Sequence, residues 1–325
     1  MTNHLMIRRL FVLLIFGILL QTPSLATDRV AFDQFMAGTH LALSKNSLQD
    51  KSVEFSAKQV LAGTVSKYIK HLLINGEDVP LYGRWFSTEV MLKPGKNAYK
   101  IVCLNKNRQV LDAGFVRTLV KARFLDVPDN HWTTAAVEDL ATLGVMSSTH
   151  EALLFPSQVV SLASLSQSLY NSLGYDVDEK FRRLPKDQQA LSAAASVGIL
   201  DGIPTIEQMN PQQVLTWGQA LVMVMNSEGL LKNAVSKLPK DTREIPQRAL
   251  KLAVQYAYLP AAVAPDIHLD AAIGKAELSY LLAKTVRYQQ AIATLYDWDS
   301  YLSKDDLVFY KTIEAGKKAL ETEDL

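Results

Sequence analysis

Two hydrophobic periods divide the chain. Between residues 51 and 123, apolar residues come in short β-like runs at Leu72–Ile74, Ser87–Leu92, Ala98–Leu104 and Phe115–Val120. Asn75-Gly76 and the stretches Lys93–Asn97 and Asn105–Arg108 separate these runs, and each carries turn residues. Pro94-Gly95 suits the centre of a type II turn, where glycine takes the positive φ. So many short strands in so short a stretch predict a small antiparallel β-sandwich.

From Phe124 onward the spacing becomes helical. Apolar residues three and four apart stand at Val137, Leu140, Ala141 and Val145. The ladder returns at Leu191, Ala194, Ala195 and Ile199, and again at Leu250, Ala253, Val254 and Tyr258. Gly144 and Gly198 stand just past the first two helices, where a left-handed residue ends a helix; Ala257 holds that slot in the third. A second helix follows each ladder, at Ser161–Gly174, Thr216–Gly229 and Gly274–Lys284, and the first two end in Asn-Ser-x-Gly. Three helical hairpins, none able to bury its apolar face alone, predict a stack that buries those faces together.

Ahead of both patterns, Arg8 and Arg9 precede the apolar run Leu10–Leu20, and small residues follow to Ser24-Leu25-Ala26. This order reads as a secretory signal peptide cleaved after Ala26, so an exported chain is expected. An apolar run of 11 residues falls short of the roughly 20 a membrane span needs, so no stable span is expected after cleavage. The resulting map is a signal peptide (1–26), a segment of unassigned structure (27–50), a β module (51–123) and three helical repeats (124–178, 179–234 and 235–290). A C-terminal helical extension (291–325) is expected to pack back on the helical bundle.

Phe124-Leu-Asp-Val-Pro-Asp-Asn-His-Trp132, the helix to Gly144-Val145, and Phe155-Pro156 resemble the opening of an S-layer homology (SLH) domain. The second unit keeps Phe181, Gly198-Ile199 and Asn210-Pro211; the third keeps Leu238-Pro239, His268-Leu269 and Ile273–Glu277. The resemblance implies an all-α, pseudo-threefold bundle of three helical hairpins. It also implies non-covalent attachment to cell-wall polysaccharide or peptidoglycan, often through pyruvylated sugars held between units. In that family the second helix opens with T-R-A-E, whose cation faces the acidic sugar. Here those slots read Ser161-Leu-Ala-Ser164, Thr216-Trp-Gly-Gln219 and Gly274-Lys-Ala-Glu277, so only the third keeps a cation. Lys275 is therefore the first candidate for polymer contact, with Glu277 beside it and Thr216, Trp217 and Gln219 as further candidates. Trp217 could stack on a sugar ring or fill a core. The β module, through Leu73–Glu77, Val79–Leu81, Phe86, Val90 and Leu92–Asn97, resembles bacterial immunoglobulin-like modules of exported proteins, which act as spacers or binding units. The expected fold is thus an immunoglobulin-like β-sandwich followed by an all-α SLH-like bundle.

Composition narrows the chemistry. The chain carries 34 Lys and Arg against 33 Asp and Glu, which argues against a globally basic nucleic-acid binder. That balance averages two unlike halves: residues 51–123 hold 13 basic and 5 acidic residues, whereas 124–325 hold 17 and 25. The basic half makes Lys93, Lys96, Lys100, Lys106 and Arg108 secondary candidates for an anionic wall polymer. A single cysteine, Cys103, excludes an internal disulfide and reads as a small buried hydrophobe. No P-loop, G-x-S-x-G, H-E-x-x-H or dinucleotide fingerprint occurs. The six histidines are scattered; His131 reads as a turn or packing residue, Asp126 and Asp129 as turn and cap residues, and Trp132 as packing. No cofactor and no metal are expected. The reading is a non-enzymatic, exported cell-envelope protein that binds wall polymer. Its alternatives are an envelope protein–protein adaptor that no longer binds polymer, and a carbohydrate-binding accessory module of a polysaccharide enzyme system.

Overall fold

A computed structural model describes residues 40–146, 152–173, 179–203, 210–231, 244–309 and 311–312. The leader with its cleavage site, residues 27–39 and the motif residues Leu238-Pro239 lie outside the described residues. The chain divides into two compact units, one holding the residues up to Val120 together with those from Asp297, the other Lys121–Tyr296.

In the first unit the strands are β1 (Leu41–Leu43), β2 (Ser52–Glu54), β3 (Lys58–Val65), β4 (His71–Ile74), β5 (Glu77–Val79), β6 (Trp85–Met91), β7 (Gly95–Leu104) and β8 (Val110–Val120). They form two sheets, ordered β1-β3-β6 and β2-β8-β7-β4-β5. Alternation decides what is buried: on β6, Phe86 and Val90 point into the core while Trp85 and Met91 stay exposed. Leu61, Phe86 and Val90 from the first sheet share one core with Leu72, Ile101, Cys103 and Leu111 from the second. The Asn75-Gly76 turn has φ of 51° and 86°, the left-handed pair that a tight hairpin between β4 and β5 requires. β3 escapes the sequence pattern because Ala62 and Gly63 interrupt its alternation. The fold needs that gap, since a Cβ on Gly63 would lie 3.0 Å from the Phe86 ring and closer still to the Ala42 carbonyl.

The unit is closed by charge. Arg117 is fully buried on β8, and Asp50 receives its Nε at 3.0 Å and its Nη2 at 2.6 Å; Nη1 reaches Asp299 at 3.4 Å. Asp299 belongs to the short helical turn Trp298–Tyr301. On the same segment Ser300 Oγ accepts from Lys96 Nζ at 2.6 Å, and Asp306 pairs with Lys100 at 2.7 Å. Lys100 also sits 4.6 Å from the centre of the Phe309 ring.

These observations correct the expected fold class. The chain is mixed α and β rather than an immunoglobulin-like sandwich joined to an all-α bundle. Among the described residues the β unit includes a strand at Leu41–Leu43, contains a parallel pair (β2 with β8), and takes in the C-terminal segment from Asp297. That segment was expected on the helical bundle; its residues up to Tyr296 do belong to the helical unit, whereas those from Asp297 meet the basic surface of β7 and β8.

In the second unit the helices are α1 (Thr134–Thr142), α2 (Leu162–Ser172), α3 (Lys186–Ser196), α4 (Trp217–Ser227), α5 (Glu244–Gln255), α6 (Lys275–Ala283) and α7 (Val286–Leu295). α1, α3 and α5 end alike. Gly144, Gly198 and Ala257 have φ of 75°, 79° and 58°, and each donates its N–H to the carbonyl three residues back, at Ala141, Ala195 and Val254. The next N–H reaches five back in each case (Val145 to Leu140, Ile199 to Ala194, Tyr258 to Ala253), which completes the two-bond closure of a left-handed helix end.

The unit is not all-α, because backbone bridges knit the starts of α2, α4 and α6. Ser161 bridges Val214, Thr216 bridges Ala272, and Gly274 bridges Val159. Each helix hands its first two free N–H groups to the segment before the next. Leu162 and Ala163 donate to Gln213 and Pro211, Trp217 and Gly218 to Ala271 and Leu269, and Lys275 and Ala276 to Gln158 and Pro156, all at 2.8–3.0 Å. The third segment therefore closes on the first. Val160, Leu215 and Ile273 sit within the three segments of this ring and are buried in the main core. Phe124, Val127 and Val137 of the first repeat pack with Ala276 of the third in a smaller core. Elsewhere, Lys121 lies between Glu138 (3.1 Å) and Asp139 (2.9 Å), with the Tyr296 hydroxyl on Asp139. Burial alone would lower its pKa, but the two carboxylates more than offset that and hold it above the ordinary lysine value.

Two outcomes follow for urea denaturation. Arg117→Leu strands Asp50 and is expected to cost about 3 kcal/mol, whereas Asp299→Asn, at a half-exposed partner, should cost less than about 1 kcal/mol. Gly274→Ala places a Cβ 2.8 Å from the Pro156 carbonyl and onto the Glu277 carboxylate, and is expected to cost about 1–3 kcal/mol. Gly114→Ala meets nothing within 4 Å and should stay within about 0.5 kcal/mol of the parent.

Candidate functional site

The three ring-forming helix starts carry the sequence-predicted site residues, and the structure sets them in different surroundings. At α4, Thr216 Oγ1 accepts from the Gln219 N–H at 3.3 Å, and the Gln219 side chain accepts from the Thr216 N–H at 3.1 Å. This reciprocal capping box engages both candidates in starting the helix. Trp217 is 9% exposed and sits in the main core with Leu215, Leu221 and Ile245. Of its two sequence readings, the packing one describes this position. Leu162, in the equivalent slot of α2, is 1% exposed.

Lys275 differs. It is half-buried at the first position of α6, and its Nζ donates to the Leu154 carbonyl at 3.3 Å. Burial lowers its pKa from the ordinary value of 10.5, opposed by the nearby Asp126 charge. The Asp126 oxygens accept from the Leu154 and Phe155 N–H groups at 2.9 and 2.7 Å. They thereby hold a loop in which Ala152 and Phe155 have φ of 55° and 56°. A left-handed conformation at such residues costs on the order of 1 kcal/mol each, which the carboxylate's two hydrogen bonds offset. Asp126, half-exposed Phe155, Pro156, Ser157 and Gln158 line an open cleft of about 540 Å³. The same loop binds α6, because the Pro156 and Gln158 carbonyls receive the Ala276 and Lys275 N–H groups. Glu277 lies one turn into α6, and its Oε2 is buried with no hydrogen-bond partner among the described residues. Gly274 gives that carboxylate room.

The structure thus brings Lys275, Glu277 and Asp126 to one helix start and leaves Thr216, Trp217 and Gln219 at another. Sequence reasoning took Asp126 for a turn or cap residue, yet it anchors a loop 28 positions away. The signal lay in the Phe-x-Asp-Val and Phe-Pro motifs, where the Phe155 N–H donates to the Asp126 carboxylate. His131 contacts Thr133 Oγ1 at 2.7 Å, and Trp132 packs edge-on against Tyr280 at 4.6 Å. Of the basic β-module candidates, Lys96 and Lys100 are engaged by the C-terminal segment, and Arg108 lies 3.5 Å from Asp78. Among the described residues no group of three or more His, Cys, Asp or Glu is placed to hold a metal ion. Among the same residues no helix is long and apolar enough to cross a membrane.

No family model matches the chain, and no curated protein matches it in sequence. Among solved structures it is similar to a polysaccharide lyase at 12% identity and a TM-score of 0.23, over 80% of this chain and 39% of that one. It is also similar to a family 76 glycoside hydrolase from a bovine Bacteroides thetaiotaomicron strain, at 9% identity and a TM-score of 0.18, over 81% of this chain and 62% of that one. The chain therefore spans less than two thirds of either length, and at these scores neither similarity defines its fold.

The charge on Lys275 opposes folding. With the folded pKa below 10.5, the penalty is fully present below that depressed value and is relieved as pH rises towards 10.5. Lys275→Met is expected to be at least as stable as the parent at pH 7. It should also lose the parent's gain in stability on the alkaline side, as read by urea denaturation at pH 7 to 10.

Proposed function

We propose that the chain is a non-enzymatic, exported cell-envelope protein that attaches non-covalently to cell-wall polysaccharide or peptidoglycan through its SLH-like repeats. The observation that carries this reading is the convergence of the three repeat motifs on one backbone-bonded ring, with the one cation of the three slots bonded to the loop that lines an open cleft. A half-buried lysine whose charge opposes folding is a feature that packing alone does not favour. As a point charge, Lys275 suits one acidic group of a polymer rather than bidentate recognition. The β unit would act as spacer or second binding element.

A second reading is an envelope protein–protein adaptor whose repeats no longer bind polymer. It is favoured by Leu162 and Trp217, which fill two of the three cation slots with buried apolar side chains. Cross-linking in intact cells separates the two readings, since an adaptor is recovered on protein and a wall binder on glycan.

Sedimentation with purified sacculi tests the leading reading. The full chain is expected to co-sediment at physiological salt, and Lys275→Met to reduce the bound fraction. No co-sedimentation of the folded chain sinks wall attachment.

A further inference from the structure

A second cleft, of about 490 Å³, lies in the helical unit away from the ring. It forms where the ends of α4 and α5 meet the junction of α6 and α7, and its wall includes Glu228, Tyr256, Tyr258, Lys284, Val286 and Gln289. The volume falls within the usual range of small-ligand sites.

Its polar groups are set before any ligand arrives. Glu228 Oε2 accepts from the Tyr258 hydroxyl at 2.8 Å and from the Val286 N–H at 3.1 Å; its other oxygen makes no hydrogen bond among the described residues. Gln289 spends its amide N–H on the Ala283 carbonyl at 2.8 Å, which leaves its oxygen as an acceptor. Lys284 supplies a donor and is steadied 5.1 Å above the Tyr280 ring. Tyr256 is different in kind: 51% exposed, it makes no side-chain hydrogen bond or ring contact among the described residues. Ala257 explains the split between the two tyrosines. Its left-handed φ of 58° turns the chain sharply, so that Tyr258 folds in to Glu228 while Tyr256 stays at the rim.

We infer that this cleft binds a neutral sugar residue of a polysaccharide, with Tyr256 as the stacking face and Glu228, Gln289 and Lys284 as the hydrogen-bonding rim. The chemistry selects that class. A pyranose has an apolar face for the ring and an edge of hydroxyl groups that both donate and accept, which matches acceptors and donors set side by side. A polyanion would meet the Glu228 carboxylate, and a purely apolar ligand would strand the three polar groups. The inference deepens the envelope-glycan reading by adding a neutral subsite to the acidic-group contact at Lys275.

The test is binding of the full chain to an array of neutral and acidic oligosaccharides. At least one neutral oligosaccharide is expected to bind. Tyr256→Ala should weaken that binding about tenfold, the loss of a stacking contact near the upper end of its usual strength, while Tyr256→Phe retains it. Glu228→Gln should weaken it as well. Tyr256 is exposed and its removal leaves the core intact, so a loss in Tyr256→Ala with unchanged thermal unfolding reports on the cleft. Binding that survives Tyr256→Ala, or a blank neutral array, overturns the inference. Sacculus binding abolished by Lys275→Met alongside a blank neutral array removes this subsite and leaves the Lys275 reading standing; the opposite pair of results does the reverse.

Discussion

The starts of α2, α4 and α6 hold one another through backbone hydrogen bonds. A helix leaves its first N–H groups without partners inside the helix, and burying them unpaired is expensive. Here two N–H groups of each helix are met by carbonyls of the segment that leads into the next. The requirement recurs three times, so the chain satisfies it only by closing a circle. That constraint reaches outward. It places Gly218 where a side chain would press on the Leu269 carbonyl, and Gly274 where one would press on Pro156. It also puts Val160, Leu215 and Ile273 inside, which joins the repeats into one core.

The ring decides the site as well. Leu162, Trp217 and Lys275 occupy the same position on three helices, just past the residue that caps each one. The first two continue the core, and the third reaches the Leu154 carbonyl beside the Asp126-anchored loop. A cation near Asp126 and the Leu154 carbonyl is steadied there, yet desolvation still works against its charge. The three repeats therefore share a backbone plan and differ in the side-chain chemistry they place on it. One slot holds a half-buried cation, and the other two hold buried apolar side chains.

The β unit depends on a different interaction. Arg117 is buried on β8, and its guanidinium is shared by Asp50, from the start of the unit, and Asp299, from its C-terminal segment. A buried guanidinium demands acceptors, and these two come from opposite ends of the sequence. Lys96 and Lys100 extend the arrangement to Ser300, Asp306 and Phe309. Lys96, Lys100 and Arg117, three of the thirteen basic residues of this stretch, are thus engaged by the segment that follows the helices. A site reading of those lysines based on composition alone overstates what they offer a polymer.

Local patterns carried much of the architecture. Period-two runs marked β4, β6, β7 and β8, and Asn75-Gly76 and Pro94-Gly95 marked turns whose glycines have positive φ. The three-fold recurrence of the helix ladders, and Ala257 standing where Gly144 and Gly198 stand, placed three identical helix ends, because a helix stop is decided by residues within one turn of it. Lys275 was legible as the single cation among three matched slots. The rest was not, because it depends on which distant groups meet. β3 hides its pattern behind Ala62 and Gly63, which exist to let another strand approach. β2 gives no local sign that it pairs in parallel with β8. Asp126 looks like any turn aspartate until the backbone of residues 154–155 reaches it, and the Tyr256 cleft forms only where four helices pack together. Sequence by itself determined the paired helices, three of their ends, the repeat and the strands β4, β6, β7 and β8, since each is set by neighbours within a few residues. Tertiary structure alone decided how far each slot is buried, which charges are already engaged and where a second cleft forms, since solvent exposure and charge partners arise only when segments remote in the chain pack together.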